Sequence, residues 1–249
     1  MNKPRLEALY NDPALARFYD LSNGWNTDFD FCVHLAADSD SVLDLGCGTG
    51  QLAAALARDH TVTGVDPAAA MLDVARGRPG GGRVTWVEDD ARSVRLGRRF
   101  DLIVLTGHAF QVFLTDADQE AVAATISAHL TPGGRFIFDS RNPLVRTWED
   151  RGRTETVQTL EHPELGAIEK RTESFFDEAS TVLTYRDRFI VEATGEEHSS
   201  SAQIRYTPKD QLAATFASAG LRIDQWLGDW HGNPYTPEAR DIIPLGGST

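Results

Sequence analysis

From residue 41 onward, apolar runs alternate with helix-like stretches in a regular rhythm. "SVLDLG" (41–46), "TVTGVD" (61–66), "RVTWVEDD" (83–90), "FDLIVLTG" (100–107) and "RFIFDS" (135–140) have the length and β-branched content of buried strands. Between them, "GQLAAALARD" (50–59), "PAAAMLDVARG" and "DADQEAVAATISAHL" (116–130) read as helices. The second has Pro67 at its first helical position, and the third stops at the "TPGG" breaker. Strands that are apolar almost throughout, alternating with such helices, predict a parallel sheet covered on both faces.

The rhythm breaks after Pro143. Residues 153–206 carry no helical pattern; "TETVQTL", "GAIEKRTESFF", "STVLTYRDRFIV" and "SSSAQIRYT" are separated by turn signals and predict an antiparallel meander of about four strands. A helix over 208–220 and strands over 221–230 and 239–246 then complete the first sheet. Two short helices, 5–18 and 28–37, precede it. The expected organisation is a helical cap (1–39), an α/β core (40–150), a β insert (151–206) and the completion of the core (207–249).

Composition narrows the setting. A length of 249 residues is ample for a full core, and no apolar run approaches the ~20 residues of a membrane span. The start of the chain, with Pro4, Glu7 and Asp12, does not read as a signal peptide, so a cytoplasmic protein without a membrane partner is expected. A net charge of −13 argues against nucleic acid as a partner. Cys32 and Cys47 are too few for a disulfide framework, and the scattered histidines make no metal-ligand spacing, so no metal is expected.

The chemistry concentrates at "DLGCGTGQ", where Gly46, Gly48 and Gly50 follow a strand that carries Asp44 near its end. Three glycines so close together cost conformational entropy unless a ligand or a tight turn needs them. A dinucleotide fingerprint wants a small third residue where Gln51 stands, and Asp44 would repel a pyrophosphate. No tyrosine is followed four residues later by lysine, as short-chain dehydrogenases require. The Asp44-x-Gly46-x-Gly48-x-Gly50 motif instead resembles the first motif of class I S-adenosylmethionine-dependent methyltransferases, whose cofactor carries an ammonium and a sulfonium rather than phosphate. Asp66 at the end of the second strand, Asp90–Ala91 at the end of the third (Asp89 by one register step) and the Pro-Gly-Gly turn before the fifth match the same family in order.

That resemblance implies a Rossmann-like, doubly wound sheet of seven strands, the last antiparallel, with the β insert as a lid between strand five and the last helix. It implies S-adenosylmethionine as cofactor, held by Tyr19, Asp44, Gly46, Gly48, Gly50, Asp66, Pro67, Met71, Asp90, Ala91 and Thr106. His108 and Gln111 are polar in the apolar run "LTGHAFQVFL"; His108 is the candidate base or substrate contact, and Gln111 a substrate contact. Arg141, Asn142, Arg205 and Tyr206 are further substrate candidates, with Trp230, His231 and Tyr235 behind them. The insert resembles that of glycine N-methyltransferases and amino-sugar N,N-dimethyltransferases. A small-molecule amine is therefore the expected acceptor and a homodimer the expected assembly. A hydroxyl acceptor is the alternative within the family; an NAD-dependent oxidoreductase or a non-catalytic cofactor-binding regulator are the alternatives outside it.

Overall fold

Val42, Leu43 and Leu45 of the first strand are all buried, and they face opposite ways. Leu43 and Leu45 pack with Ile103, Leu105, Val122, Ile126 and Phe216 on one face; Val42 packs with Leu52, Leu56, Leu102, Val104 and Ile243 on the other. A strand with two dry faces belongs inside a doubly covered sheet. The computed structural model describes residue 10, residues 12–150 and residues 155–248.

The central sheet comprises β1 (Ser41–Leu45), β2 (Thr61–Asp66), β3 (Thr85–Glu88), β4 (Phe100–Leu105), β5 (Leu130–Phe138), the two-residue β6 (Ser140–Arg141), β11 (Leu221–Leu227) and β12 (Asp241–Ser248). Its order is β11-β12-β5-β4-β1-β2-β3, with β6 paired to β12. Strands β1 to β5 are parallel, whereas β12 runs antiparallel to both β5 and β11. The longer helices are α1 (Pro13–Ser22), α2 (Thr27–Leu35), α3 (Gln51–Leu56), α4 (Ala69–Gly77), α5 (Asp116–His129) and α6 (Lys209–Ser218). Side chains of α5 and α6 cover one face of the sheet, and those of α2 and α3 the other. Each buried Leu or Phe in these layers contributes about 1.5–3 kcal/mol.

Helix starts follow their caps. Asp12 accepts from Ala14 N at α1, Asn26 from Thr27 N at α2, and Thr115 from Asp118 N at α5. Three expectations shift. The first helix runs on to Ser22, past the expected end at residue 18, and its expected start at residues 5–9 lies outside the described residues. Pro67 is not the first helical residue: Ala68 caps α4 and Ala69 opens it. The fifth strand begins at Leu130, directly after α5; Leu130 pairs with Phe100 and Arg135 with Leu102, so "TPGG" is a bulge inside the strand rather than a turn before it.

The insert is a separate four-stranded antiparallel sheet of β7 (Thr156–His162), β8 (Gly166–Asp177), β9 (Val182–Val191) and β10 (Glu197–Arg205), in the order β10-β9-β8-β7. Its expected start at residues 151–154 lies outside the described residues. It does not float free. Phe18 of α1 stacks on Phe189 of β9 at 5.3 Å, and Leu15 joins Ile168 and Val191 in a shared buried cluster. Helix α1 is therefore wedged between the insert and the parallel core. Among the described residues no helix is long and apolar enough to cross a membrane.

Candidate active site

The carboxyl ends of β1 to β5 open into a cleft of about 1330 Å³, roofed by α1 and by one face of the insert. In open α/β sheets such clefts are where ligands sit. The glycine loop is its floor. Gly46 N and Cys47 N both donate to Val65 O, at 2.8 and 3.0 Å, which ties the loop to the neighbouring strand. Gly48 N donates to Asp66 Oδ2 at 2.8 Å, while Asp66 Oδ1 accepts from Ala68 N at 2.9 Å. Asp66 is thus held by two backbone donors, one on each oxygen, and each oxygen retains acceptor capacity at the cleft that the residue lines. Gly48 lies at φ +52°, and a Cβ there would stand 3.9 Å from the Tyr19 ring, in the space between loop and roof.

Not every motif residue reaches the cleft. Asp44 is buried under the loop, and Ala53 N–H of α3 is its backbone donor. Gly50 is left-handed at the N-cap of α3 and packs on Trp86 and Ala75. Both support the loop from behind and do not line the cleft. Burial, with the Asp66 charge adding to it, pushes the Asp44 carboxyl up to about 7; burial pushes Asp66 up to about 6 against its two backbone donors. Of the two, Asp66 alone lines the cleft; Asp44 stays behind the loop.

Gly46, Pro67, Met71, Asp90, Ala91 and Thr106 line the cleft around Asp66, over the β1–β4 half of the rim. Of the two register alternatives on β3, Asp89 is exposed and Asp90 lines the cleft. Asp90 is clamped by Arg92, whose Nη2 and Nε lie 2.6 and 2.9 Å away. Burial opposes ionisation there, but the Arg92 bonds win and hold the carboxyl below its ordinary value. Tyr19 lies in the roof; burial, then the nearby Tyr185 and Asp66, raise its hydroxyl well above the usual range, so it stays a donor.

The other half of the rim, over β4, β5 and β12, holds a cluster that local sequence reasoning missed except for His108. His108 is left-handed at φ +61°. Its N–H donates to Asp139 Oδ1 at 2.9 Å, and its Nε2 lies 3.1 Å from Asp241 Oδ1 and 3.4 Å from Asp139 Oδ2. Asp28 of α2 lines the same corner. Burial raises the carboxyls of Asp139 and Asp28 above their ordinary value, and the nearness of His108 lowers both. Arg141, Trp230 and His231 also line the cleft.

Four expected substrate contacts lie elsewhere. Gln111 is fully buried, accepting from Arg141 Nη1 and donating to Arg205 O, each at 2.9 Å, so it braces the rim against the end of β10. Asn142 is buried and donates to Pro237 O and Ala239 O. Arg205 pairs with Asp116 at 2.7 Å. Tyr206 is buried edge-on to Trp148, with its hydroxyl 3.0 Å from Thr147 Oγ1. None of the four lines the cleft, and neither does Tyr235. Each satisfies local packing or bonding that a one-dimensional motif does not reveal. Among the described residues, no group of His, Cys, Asp and Glu is placed to hold a metal ion.

The donor set fits S-adenosylmethionine: a glycine floor without side chains, a carboxylate with free lone pairs for a vicinal diol, and buried anionic groups for a cation. When bound, the cofactor supplies a methyl group activated by its sulfonium. Residues 42–134 match a protein-family model described as a methyltransferase domain. The cypemycin N-terminal methyltransferase of a Streptomyces species is 27% identical over 221 residues, 84% of each chain. A methyltransferase of Clostridium acetobutylicum, described as S-adenosylmethionine-dependent, superposes with a TM-score of 0.81 at 19% identity, over 94% of this chain and 98% of that one. The S-adenosylmethionine-bound amino pentose methyltransferase CalS10 of Micromonospora echinaspora superposes with a TM-score of 0.70 at 24% identity, over 91% and 93%. Glycine floor, rim acids, domain match and fold converge: the chain is an S-adenosylmethionine-dependent methyltransferase.

Proposed function

We propose that the protein methylates a nitrogen of a small, amine-bearing molecule. The observation that carries this reading is the corner formed by Asp28, Asp139, Asp241 and His108, on the half of the rim opposite Asp66 and Asp90. An amine is protonated in neutral water, so three carboxylates attract it charge to charge, whereas a neutral hydroxyl acceptor gains only a hydrogen bond from them. The roof above carries hydrogen-bonding side chains, among them Thr172, Ser174, Tyr185 and the Lys170–Asp187 pair, which suit a polar acceptor body. The names of two relatives, an N-terminal methyltransferase and an amino pentose methyltransferase, support nitrogen as the target.

In this reading Asp66 accepts from the ribose hydroxyls, Asp90 and Ala91 meet the adenine, and Met71 and Pro67 pad it. Gly46, Gly48 and the Thr106 carbonyl take the methionine portion, and Tyr19 closes over it. His108 and Arg141 face the acceptor. The protein's own contribution is alignment and exclusion of water between roof and rim. Self-association through the insert belongs to the same proposal, and sedimentation velocity tests it.

The test is a panel of primary and secondary amines matched to their hydroxyl analogues. Release of demethylated cofactor is followed, and product mass locates the methyl. Methylated amines are expected. Methylation of the hydroxyl analogues alone would overturn the reading.

A further inference from the structure

The ring of His108 is fixed from one side only. Nε2 faces Asp241 Oδ1 at 3.1 Å and Asp139 Oδ2 at 3.4 Å, while Nδ1 has no hydrogen-bond partner among the described residues. A carboxylate accepts and does not donate, so the proton of the neutral ring belongs on Nε2 and the lone pair on Nδ1. The backbone adds to this. His108 N donates to Asp139 Oδ1, which holds the left-handed turn that aims the ring at both carboxylates. Asp139 is buried and Asp241 is about a quarter exposed, so the pair reaches from the interior to solvent. The charged groups facing the ring are Asp28 from α2, Asp139 and Arg141 from the β5–β6 segment, and Asp241 from β12.

We propose that Asp241 and Asp139 are positioning residues that hold His108 as the Nε2–H tautomer, which makes Nδ1 the atom that takes a proton from the acceptor's ammonium. This rests on the amine reading above. In the step, one N–H bond of the ammonium breaks and its electron pair stays on nitrogen as the nucleophilic lone pair. The proton bonds to Nδ1. The imidazolium so formed is balanced by Asp139 and Asp241 and discharges to water through the exposed side of the cluster. An acid partner on a histidine that sets tautomer and orientation is a general device for such bases.

The experiment is nitrogen NMR of the cofactor-free protein with ¹⁵N-labelled histidine, His108 being assigned by its absence in His108→Gln. The wild type is expected to hold the neutral ring as Nε2–H. Asp241→Asn places an amide that donates as well as accepts beside Nε2, and the Nδ1–H share should rise. With an acceptor found by the panel, the same variant should lower kcat roughly tenfold or more as the Nδ1–H share rises, and acceptor KM should rise as well because one of the three carboxylates that hold the ammonium is gone. Calorimetric cofactor affinity should stay within about twofold. A wild-type ring held as Nδ1–H overturns the proposal whatever the panel gives, as does Asp241→Asn with unchanged tautomer and kcat. Failure of the amine reading is separable: the panel then yields no methylated amine although the tautomer is Nε2–H.

Discussion

Gly50 illustrates how much a single motif position is asked to do. It caps α3 at φ +73°, and a Cβ there would come 2.4 Å from Trp86 Cη2 and 2.8 Å from the Ala75 Cβ. The left-handed backbone costs an L-residue about 1–2 kcal/mol and overpacking about 1–3 kcal/mol. Gly50→Ala should therefore lower unfolding stability by roughly 2–5 kcal/mol in urea titration, and a loss under about 0.5 kcal/mol would mean the loop relaxes around the methyl. Asp44 and Asp66 make a prediction of a different kind. Their carboxyls rise from an ordinary 3.8 to about 7 and about 6, so the cofactor-free fold favours their neutral forms. Stability from this source is complete below about pH 4 and is lost as pH rises through 6 to 7, where buried charge must form. Ribose hydroxyls donating to Asp66, together with the net positive charge of the cofactor, reverse the preference. Cofactor binding should release protons near pH 6.5, read by calorimetry in buffers of different ionisation enthalpy, and its thermal stabilisation should grow from pH 5.5 to 8. Net proton uptake would contradict the placement of the cofactor against Asp66. The positions of Gly46, Gly48 and Asp66 at the cleft were legible because each stands at or just past the end of a short strand of the parallel sheet, where local pattern is enough. Asp139 and Asp241 were not, since they stand 31 and 133 residues from His108 and meet it only once β5, β6 and β12 pair.

Helix α1 is where sequence reasoning stopped a residue short. Tyr19 was read from "ARFYD", but the next residue, Asp20, is what fastens the helix to the core. Its Oδ1 accepts from Thr49 Oγ1 at 2.6 Å and Gln51 Nε2 at 3.0 Å, and its Oδ2 pairs with Arg78 Nη2. Arg78 Nε also donates to Thr49 O at 3.0 Å, so the latch grips the glycine loop itself. The same feature explains Gln51, which disqualified the dinucleotide fingerprint: it reaches back to Asp20 and to Asn23 O. Removing one charged acceptor shared by three donors costs about 1–3 kcal/mol. Asp20→Ala should weaken cofactor binding about five- to a hundredfold, because roof and floor lose their common tie. It should also speed hydrogen exchange over 13–22 while leaving β1, β4 and β5 protected. Unchanged exchange in α1 would place the hold on the Phe18–Phe189 stack instead. The meander, by contrast, was legible in number and order of strands, since alternation and turn signals are short-range. Its docking was not, because it depends on Phe18 and Leu15 meeting β8 and β9 across more than a hundred residues.

The assembled chain carries a net charge of −13, and its cleft concentrates that sign at both ends, with Asp66 and Asp90 over one half and Asp28, Asp139 and Asp241 over the other. Arg92 neutralises Asp90, Lys170 is paired to Asp187 in the roof and Arg141 offsets part of the Asp139 charge, so the remaining acids leave a net negative field over the cleft. Such a field raises the local concentration of cations and is screened by salt, with a Debye length near 10 Å at 0.1 M. The cofactor enters with one net positive charge, from ammonium, carboxylate and sulfonium together, and leaves with none once the methyl has gone. The charge pattern therefore favours the substrate form over the product form, which limits inhibition by product. From about 50 mM to about 500 mM sodium chloride, the Kd of S-adenosylmethionine should rise about threefold or more, while that of the demethylated product changes less than about twofold. An amine acceptor's KM should follow the cofactor. Equal salt dependence of the two cofactor forms would mean that the acids act only through direct contacts, and that the net charge serves solubility rather than the reaction.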